Sequence, residues 1–110
     1  MLLTLLKTYP ELMGRKQAFV GYGNGPTSYN ATTGDVVELP GYESYIDELF
    51  GGVQSVSGTY TVFARPSASG LRATWALHWF VTATMDEVTT VSNTDLSAEV
   101  VQIGGFASGT

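Results

Sequence analysis

Residues 71–85 carry the clearest hydrophobic pattern in the chain, because apolar and more polar side chains alternate strictly along them. One face would hold Leu71, Ala73, Trp75, Leu77, Trp79, Val81, Ala83 and Met85. The other would hold Arg72, Thr74, Ala76, His78, Phe80, Thr82 and Thr84. A period of two predicts a long β-strand with one buried face. Its second face would be open to water or to a partner.

Shorter segments between Gly, Pro and Asn residues predict further strands. They are residues 17–22, 27–29, 36–39, 59–65 and 96–103. Residues 86–95 are polar and predict a loop with a short extended piece around Val88.

Residues 42–50 have a different period. The apolar positions Tyr42, Tyr45, Ile46, Leu49 and Phe50 recur at the spacing of one helix face. Glu43 suits the first turn of a helix, and two glycines follow at the C-terminal end. The pattern predicts a short helix, and an irregular connection between strands is the alternative.

Together these elements predict a mainly β fold, a small antiparallel β-sandwich or barrel with one short helix. Residues 17–110 would form a single β domain. Residues 1–16 are rich in leucine but do not alternate like a strand. They predict an N-terminal arm ordered against a partner, or a short helix packed on the domain.

Composition limits the classes of partner. The chain has 110 residues, no cysteine and a formal net charge of -5. Nucleic acid and anionic membrane surfaces are therefore not expected partners, because binding to them relies on basic residues. No apolar run approaches the roughly 20 residues that span a bilayer. Only 14% of the residues are charged, and a surface short of charge favours association.

Residues suited to catalysis or metal binding are scarce. His78 is the one histidine, so a Ser-His-Asp triad would depend on it, and no serine elbow motif accompanies it. The acidic pairs at residues 47–48 and 86–87 lack the spacing of a calcium loop. Residues 21–25 are rich in glycine, but a proline rather than a helix follows them. We therefore expect no catalytic residue, no metal and no cofactor.

Trp75 and Trp79 would lie on the same face of the long strand. Such a pair usually fills a β core, where each ring buries a large apolar area. The alternative is an exposed stacking platform for sugars, which would make the protein a carbohydrate-binding β-sandwich.

Several stretches resemble small structural proteins of tailed phages. In the first part these are GRKQAFV at residues 14–20, GPTSY at 25–29 and TG at 33–34. In the second they are LHWFVTATMDEV at residues 77–88 and TDLSAE at 94–99. The family that they resemble is that of capsid decoration, or cement, proteins. The chain departs from this pattern at Met85-Asp86, where a small residue or Gly is expected, and in its leucine-rich start.

The resemblance implies a virion protein on the capsid surface that binds the major capsid protein, often as a homotrimer, and bridges neighbouring capsomers. A tail or head-tail connector protein is the alternative within the same class. Apolar residues outside the alternating strands are the candidate interface anchors. They are Leu2, Leu3, Leu5, Leu6, Tyr9 and Phe106. Packing at the base of the core is the other interpretation of these six side chains.

Overall fold

A computed structural model describes residues 1–13, 16–39, 46–49, 52–66, 75–89 and 95–108. Within these ranges, eight strands form two sheets with antiparallel neighbours. They are β1 (Thr4–Met13), β2 (Lys16–Asn24), β3 (Asp35–Val36), β4 (Ile46–Leu49), β5 (Val53–Gln54), β6 (Tyr60–Pro66), β7 (Trp75–Val81) and β8 (Val100–Ser108). The first sheet has the order β1-β2-β8-β4 and the second the order β3-β7-β6-β5. The predicted mainly β fold is confirmed, and its arrangement is that of a small β-sandwich.

The core lies between the two sheets. Its buried side chains include Leu77 and Trp79 of β7 and Val101 and Ile103 of β8. The indole nitrogen of Trp75 donates a hydrogen bond of 2.9 Å to the carbonyl of Ile46, which ties the second sheet to the first. Both tryptophans are thus core residues, as the alternation predicts.

The predicted long strand is confirmed over Trp75–Val81, while residues 71–74 lie outside the described part. Its predicted C-terminal end is wrong, since residues 82–84 form a turn. The Met85 amide donates to the Val81 carbonyl at 2.7 Å, and Met85 has a φ of 57°. Residue 87 then pairs back with Phe80. A chain that reverses here cannot continue the strand.

The predicted short helix is wrong over Ile46–Leu49, which forms β4; residues 42–45 and 50 lie outside the described part. A register shift between Ile46 and Glu48 explains the pattern. Such a bulge inserts an extra residue and resets the alternation of a strand. Ile46 and Leu49 are therefore both buried although they are three residues apart. None of the described residues is helical, so none of them forms a helix that could cross a membrane.

Residues 4–13 form a strand of the sandwich, so the short helix, one of the two alternatives predicted for residues 1–16, is also wrong. β1 pairs with β2, and register shifts occur between Leu5 and Lys7 and between Tyr9 and Met13. These irregularities, with Pro10 in the second, remove the alternation that would have marked the strand in the sequence.

The remaining predictions vary in accuracy. The strands predicted at residues 17–22 and 59–65 are confirmed as β2 and β6. The one predicted at 27–29 is wrong, and the one at 36–39 is reduced to β3 and a bridge between Leu2 and Glu38. β8 starts later than predicted and includes Gly104 and Gly105. A Cβ on Gly105 would collide with the carbonyl oxygen of Glu48, so β4 can pair here only with glycine.

Candidate functional site

The outer face of the first sheet is defined here by Ala18, Val20 and Tyr22 of β2 and by Phe106 of β8. Residues paired across antiparallel strands share a face. Ala18 is paired with Phe106, while Phe19 and Gly105 form the next pair and face the core. Tyr22 is 37% exposed. The same face also carries Gln102, the partner of Tyr22, and Glu48, the partner of Phe106, so apolar and polar side chains share it.

Two of the predicted interface residues add exposed apolar side chains, one just before β1 and one within it. Leu2 is 60% exposed and Leu6 is 54% exposed. An open cavity of about 310 Å³ lies at the same strand and is lined by Leu2, Leu3, Thr4 and Leu5. Of the two exposed leucines, Leu2 lines this cavity. Exposed apolar side chains beside an apolar cavity are a feature of contact surfaces.

The other predicted interface residues are placed differently. Leu3 is 2% exposed and belongs to the core, and Leu5 packs against the core. Phe106 is half-buried on the outer face, and the side chain of Tyr9 lies outside the described part. The structure thus brings Leu2, Leu6 and Phe106 to the surface and assigns Leu3 and Leu5 to packing.

A second feature is a hydrogen-bonded cluster of Tyr29, His78 and Glu87 on the other sheet. His78 Nδ1 lies 2.9 Å from Glu87 Oε2. The Tyr29 hydroxyl donates to the same oxygen at 2.8 Å and accepts the backbone N–H of Trp79 at 3.0 Å. A carboxylate only accepts hydrogen bonds, so Nδ1 carries the proton between His78 and Glu87.

Burial and hydrogen bonding shift the pKa of the Glu87 carboxyl in opposite directions. Burial alone would raise the pKa of its carboxyl, but hydrogen bonds from His78 and Tyr29, with the charges of His78 and Arg65, outweigh it. The pKa of Glu87 therefore lies below its ordinary value of 4.5. Burial is the main cause that raises the pKa of Tyr29 above 10.0, so its hydroxyl stays protonated as a donor.

The cluster borders a cavity of about 450 Å³ on the outer side of the second sheet. Thr32 and Thr33 line it from the turn before β3, and His78 and Arg65 line it from β7 and β6. The apolar lining consists of Val36, Pro66 and Ala76. Gly34, with a φ of 72°, closes the turn so tightly that a Cβ would lie 2.9 Å from His78 Nε2. Gly34 therefore allows this turn to cover His78.

Sequence reasoning identified His78 but not its partners. In the sequence, Tyr29 falls in the strand predicted at residues 27–29, and Glu87 stands out only as half of an acidic pair. The available signal was the histidine itself, because a polar side chain within an apolar strand requires a hydrogen-bond partner when buried. Nothing in the pattern showed which acid would supply it.

Other predicted chemistry can be compared with the described residues. Within them, no group of three or more His, Asp or Glu side chains is placed to hold a metal ion. The alternative of a tryptophan platform for sugars is wrong, since Trp79 is fully buried and Trp75 nearly so.

Comparison with known proteins gives no relative for this chain. No family model, no curated protein and no solved structure matches it. A functional assignment therefore depends on the sequence resemblance and on the geometry described above.

Proposed function

We propose that this chain is a capsid decoration protein that binds the outer shell of a tailed phage through the outer face of the first sheet. The carrying observation is the exposure of Leu2 and Leu6 beside that face. Large apolar side chains gathered at a surface are typical of contacts between proteins. The sequence resemblance supplies the identity of the partner, the major capsid protein.

The low charge of the chain supports the same proposal. Only 14% of its residues are charged, whereas about a quarter is usual for a soluble domain. Charged residues are depleted at the centre of protein interfaces. A surface of this kind is better suited to coverage by neighbouring subunits than to permanent exposure, in keeping with a homotrimer on the capsid surface.

Such a protein would act through its binding free energy alone and would catalyse no reaction. A protein that binds the assembled shell, and not its free subunits, stabilises the shell by mass action. Bridging two capsomers adds this binding energy to the contacts that already hold them together. On this proposal the protein has no catalytic residue and no cofactor.

Shell binding is tested with heads purified from the source virus. Heads stripped of the protein should regain thermal stability when the wild type is added and should not when the double variant Leu2→Ser, Leu6→Ser is added. The control is Val56→Ser, since Val56 is 78% exposed in the connection between β5 and β6. The proposal fails if purified heads lack the protein, or if the double variant binds like the wild type.

A second measurement on the same virus distinguishes a capsid decoration protein from a tail or head-tail connector protein. Mass spectrometry of separated heads and tails should find the protein with the heads. Recovery with tails or with the connector would instead support a tail or head-tail connector protein. Light scattering on the isolated protein checks whether it forms the proposed homotrimer before binding.

A further inference from the structure

The cavity on the outer side of the second sheet contains a cation without a close partner. The Arg65 guanidinium makes no hydrogen bond or ion pair with any residue that the structure describes. It acts on Glu87 only through its charge. Glu87 is occupied by His78 and Tyr29, so the five N–H donors of Arg65 remain available to a ligand.

Other polar groups also line the cavity. The hydroxyl of Thr32 can donate a hydrogen bond from the turn, whereas that of Thr33 donates to the carbonyl of Gly34 at 3.5 Å. His78 lines the cavity with Nδ1 held by Glu87, and its Nε2 lies against Gly34 in the adjoining turn. An arginine and the hydroxyl of Thr32 therefore line one space beside the fixed ring of His78, in a chain with a net charge of -5.

We propose that this cavity binds a carboxylate group that carries a small apolar substituent. The guanidinium fork matches the two oxygens of a carboxylate, with which it forms paired hydrogen bonds. Val36, Pro66 and Ala76 supply an apolar lining for the substituent. The carboxylate could belong to a small organic acid or to the end of a protein chain. This proposal is independent of the one made for the first sheet.

Binding can be measured from the NMR signals of His78, because it is the one histidine of the chain. Its ring protons give NMR signals that need no assignment by mutagenesis. Sodium propionate is added to the wild-type protein at fixed pH, with sodium chloride adjusted to hold the ionic strength constant. A saturable shift of the His78 signals is expected, with a dissociation constant on the order of millimolar for so small a ligand.

Variants identify the groups that bind. Arg65→Gln should weaken binding about tenfold or more, because hydrogen bonds to charged groups are among the strongest. Arg65→Lys keeps the positive charge but loses the forked guanidinium. Its dissociation constant should therefore lie between those of the wild type and Arg65→Gln. Thr32→Val should also weaken binding, and Thr59→Val is its control because Thr59 precedes β6 at the end opposite Arg65. A dispersed amide spectrum verifies that each variant is folded.

Two further ligands fix the class and source of the carboxylate. N-acetylalanine represents the end of a protein chain, and its amide is the matched ligand without a charge. Tighter binding of N-acetylalanine than of propionate would assign the site to a chain terminus, and weaker binding to a small acid. The proposal is overturned if propionate gives no saturable shift, if Arg65→Gln binds equally well, if the amide binds as well as the acid, or if inorganic phosphate binds more tightly than both acids.

Discussion

His78 Nδ1 and Glu87 Oε2 are 2.9 Å apart and join β7 to the segment that returns along it. The side chain of His78 is 8% exposed and that of Glu87 is 28% exposed. The pair therefore lies at the boundary between core and solvent. Tyr29 completes the contact from a third part of the chain, so the cluster links segments that are far apart in sequence.

Tyr29→Phe should lower the free energy of unfolding by about 1–3 kcal/mol, because it leaves the buried Trp79 N–H without its acceptor. The measurement is chemical denaturation followed by tryptophan fluorescence. Tyr22→Phe is the matched control, since Tyr22 is exposed on the outer face of the first sheet. Equal effects of the two substitutions would contradict the role given to the Tyr29 hydroxyl.

Glu87→Gln should reduce the dependence of stability on acid pH. The folded-state pKa of Glu87 is lowered from 4.5, so its ionised form stabilises the fold above that pH. This contribution is lost as the pH falls through the folded-state pKa. Denaturation between pH 3 and pH 6 (about the range in which carboxylates titrate) should show a shallower slope for the variant.

Asp86→Asn is the control for that experiment, because Asp86 is the exposed neighbour of Glu87. It removes a negative charge from the same segment without touching His78 or Tyr29. The same change of slope in both variants would mean that the contact between His78 and Glu87 is not its cause.

Leu3→Ala should lower the free energy of unfolding by about 2–5 kcal/mol, as expected when a buried leucine is truncated. Leu2→Ala should change it by less than about 0.5 kcal/mol. The two residues are adjacent but are 2% and 60% exposed. Denaturation curves of the two variants test this division directly, and similar losses would show that both leucines are packed.

Met85→Gly should stabilise the fold by about 1 kcal/mol, because side chains are disfavoured in the left-handed region and glycine is not. Met85 is the non-glycine residue with a positive φ among those described. Met85→Ala keeps the Cβ and should give no such gain. A thermal melt of both variants is sufficient, and a destabilised glycine variant would contradict the expectation.

Regular alternation was sufficient to predict three of the four central strands, whereas only residues 100–103 of β8 lie in the segment predicted for it. β2 pairs with β8, and β6 pairs with β7, without register shifts. Successive side chains of these strands therefore alternate between the two faces, and the sequence shows that alternation. β1 and β4 could not be predicted, since bulges shift their register near Leu6 and Asp47. A bulge places residues three apart on one side, and this spacing imitates a helix.

The candidate sites were predictable to different degrees. The apolar content of the first residues indicated a contact surface, but only the packing separates Leu2 and Leu6 from Leu3. The cavity at Arg65 could not be predicted. Its lining comes from a turn and three strands that are brought together by pairing across the second sheet.

The position of β8 determines when this protein can acquire its fold. β8 separates β2 from β4 in the first sheet, yet it comes last of the described strands along the chain. Lys16 pairs with Ser108 and Asn24 with Val100. A nascent chain on the ribosome therefore holds an incomplete first sheet until β8 emerges. Such distant pairing favours folding on the order of milliseconds to seconds.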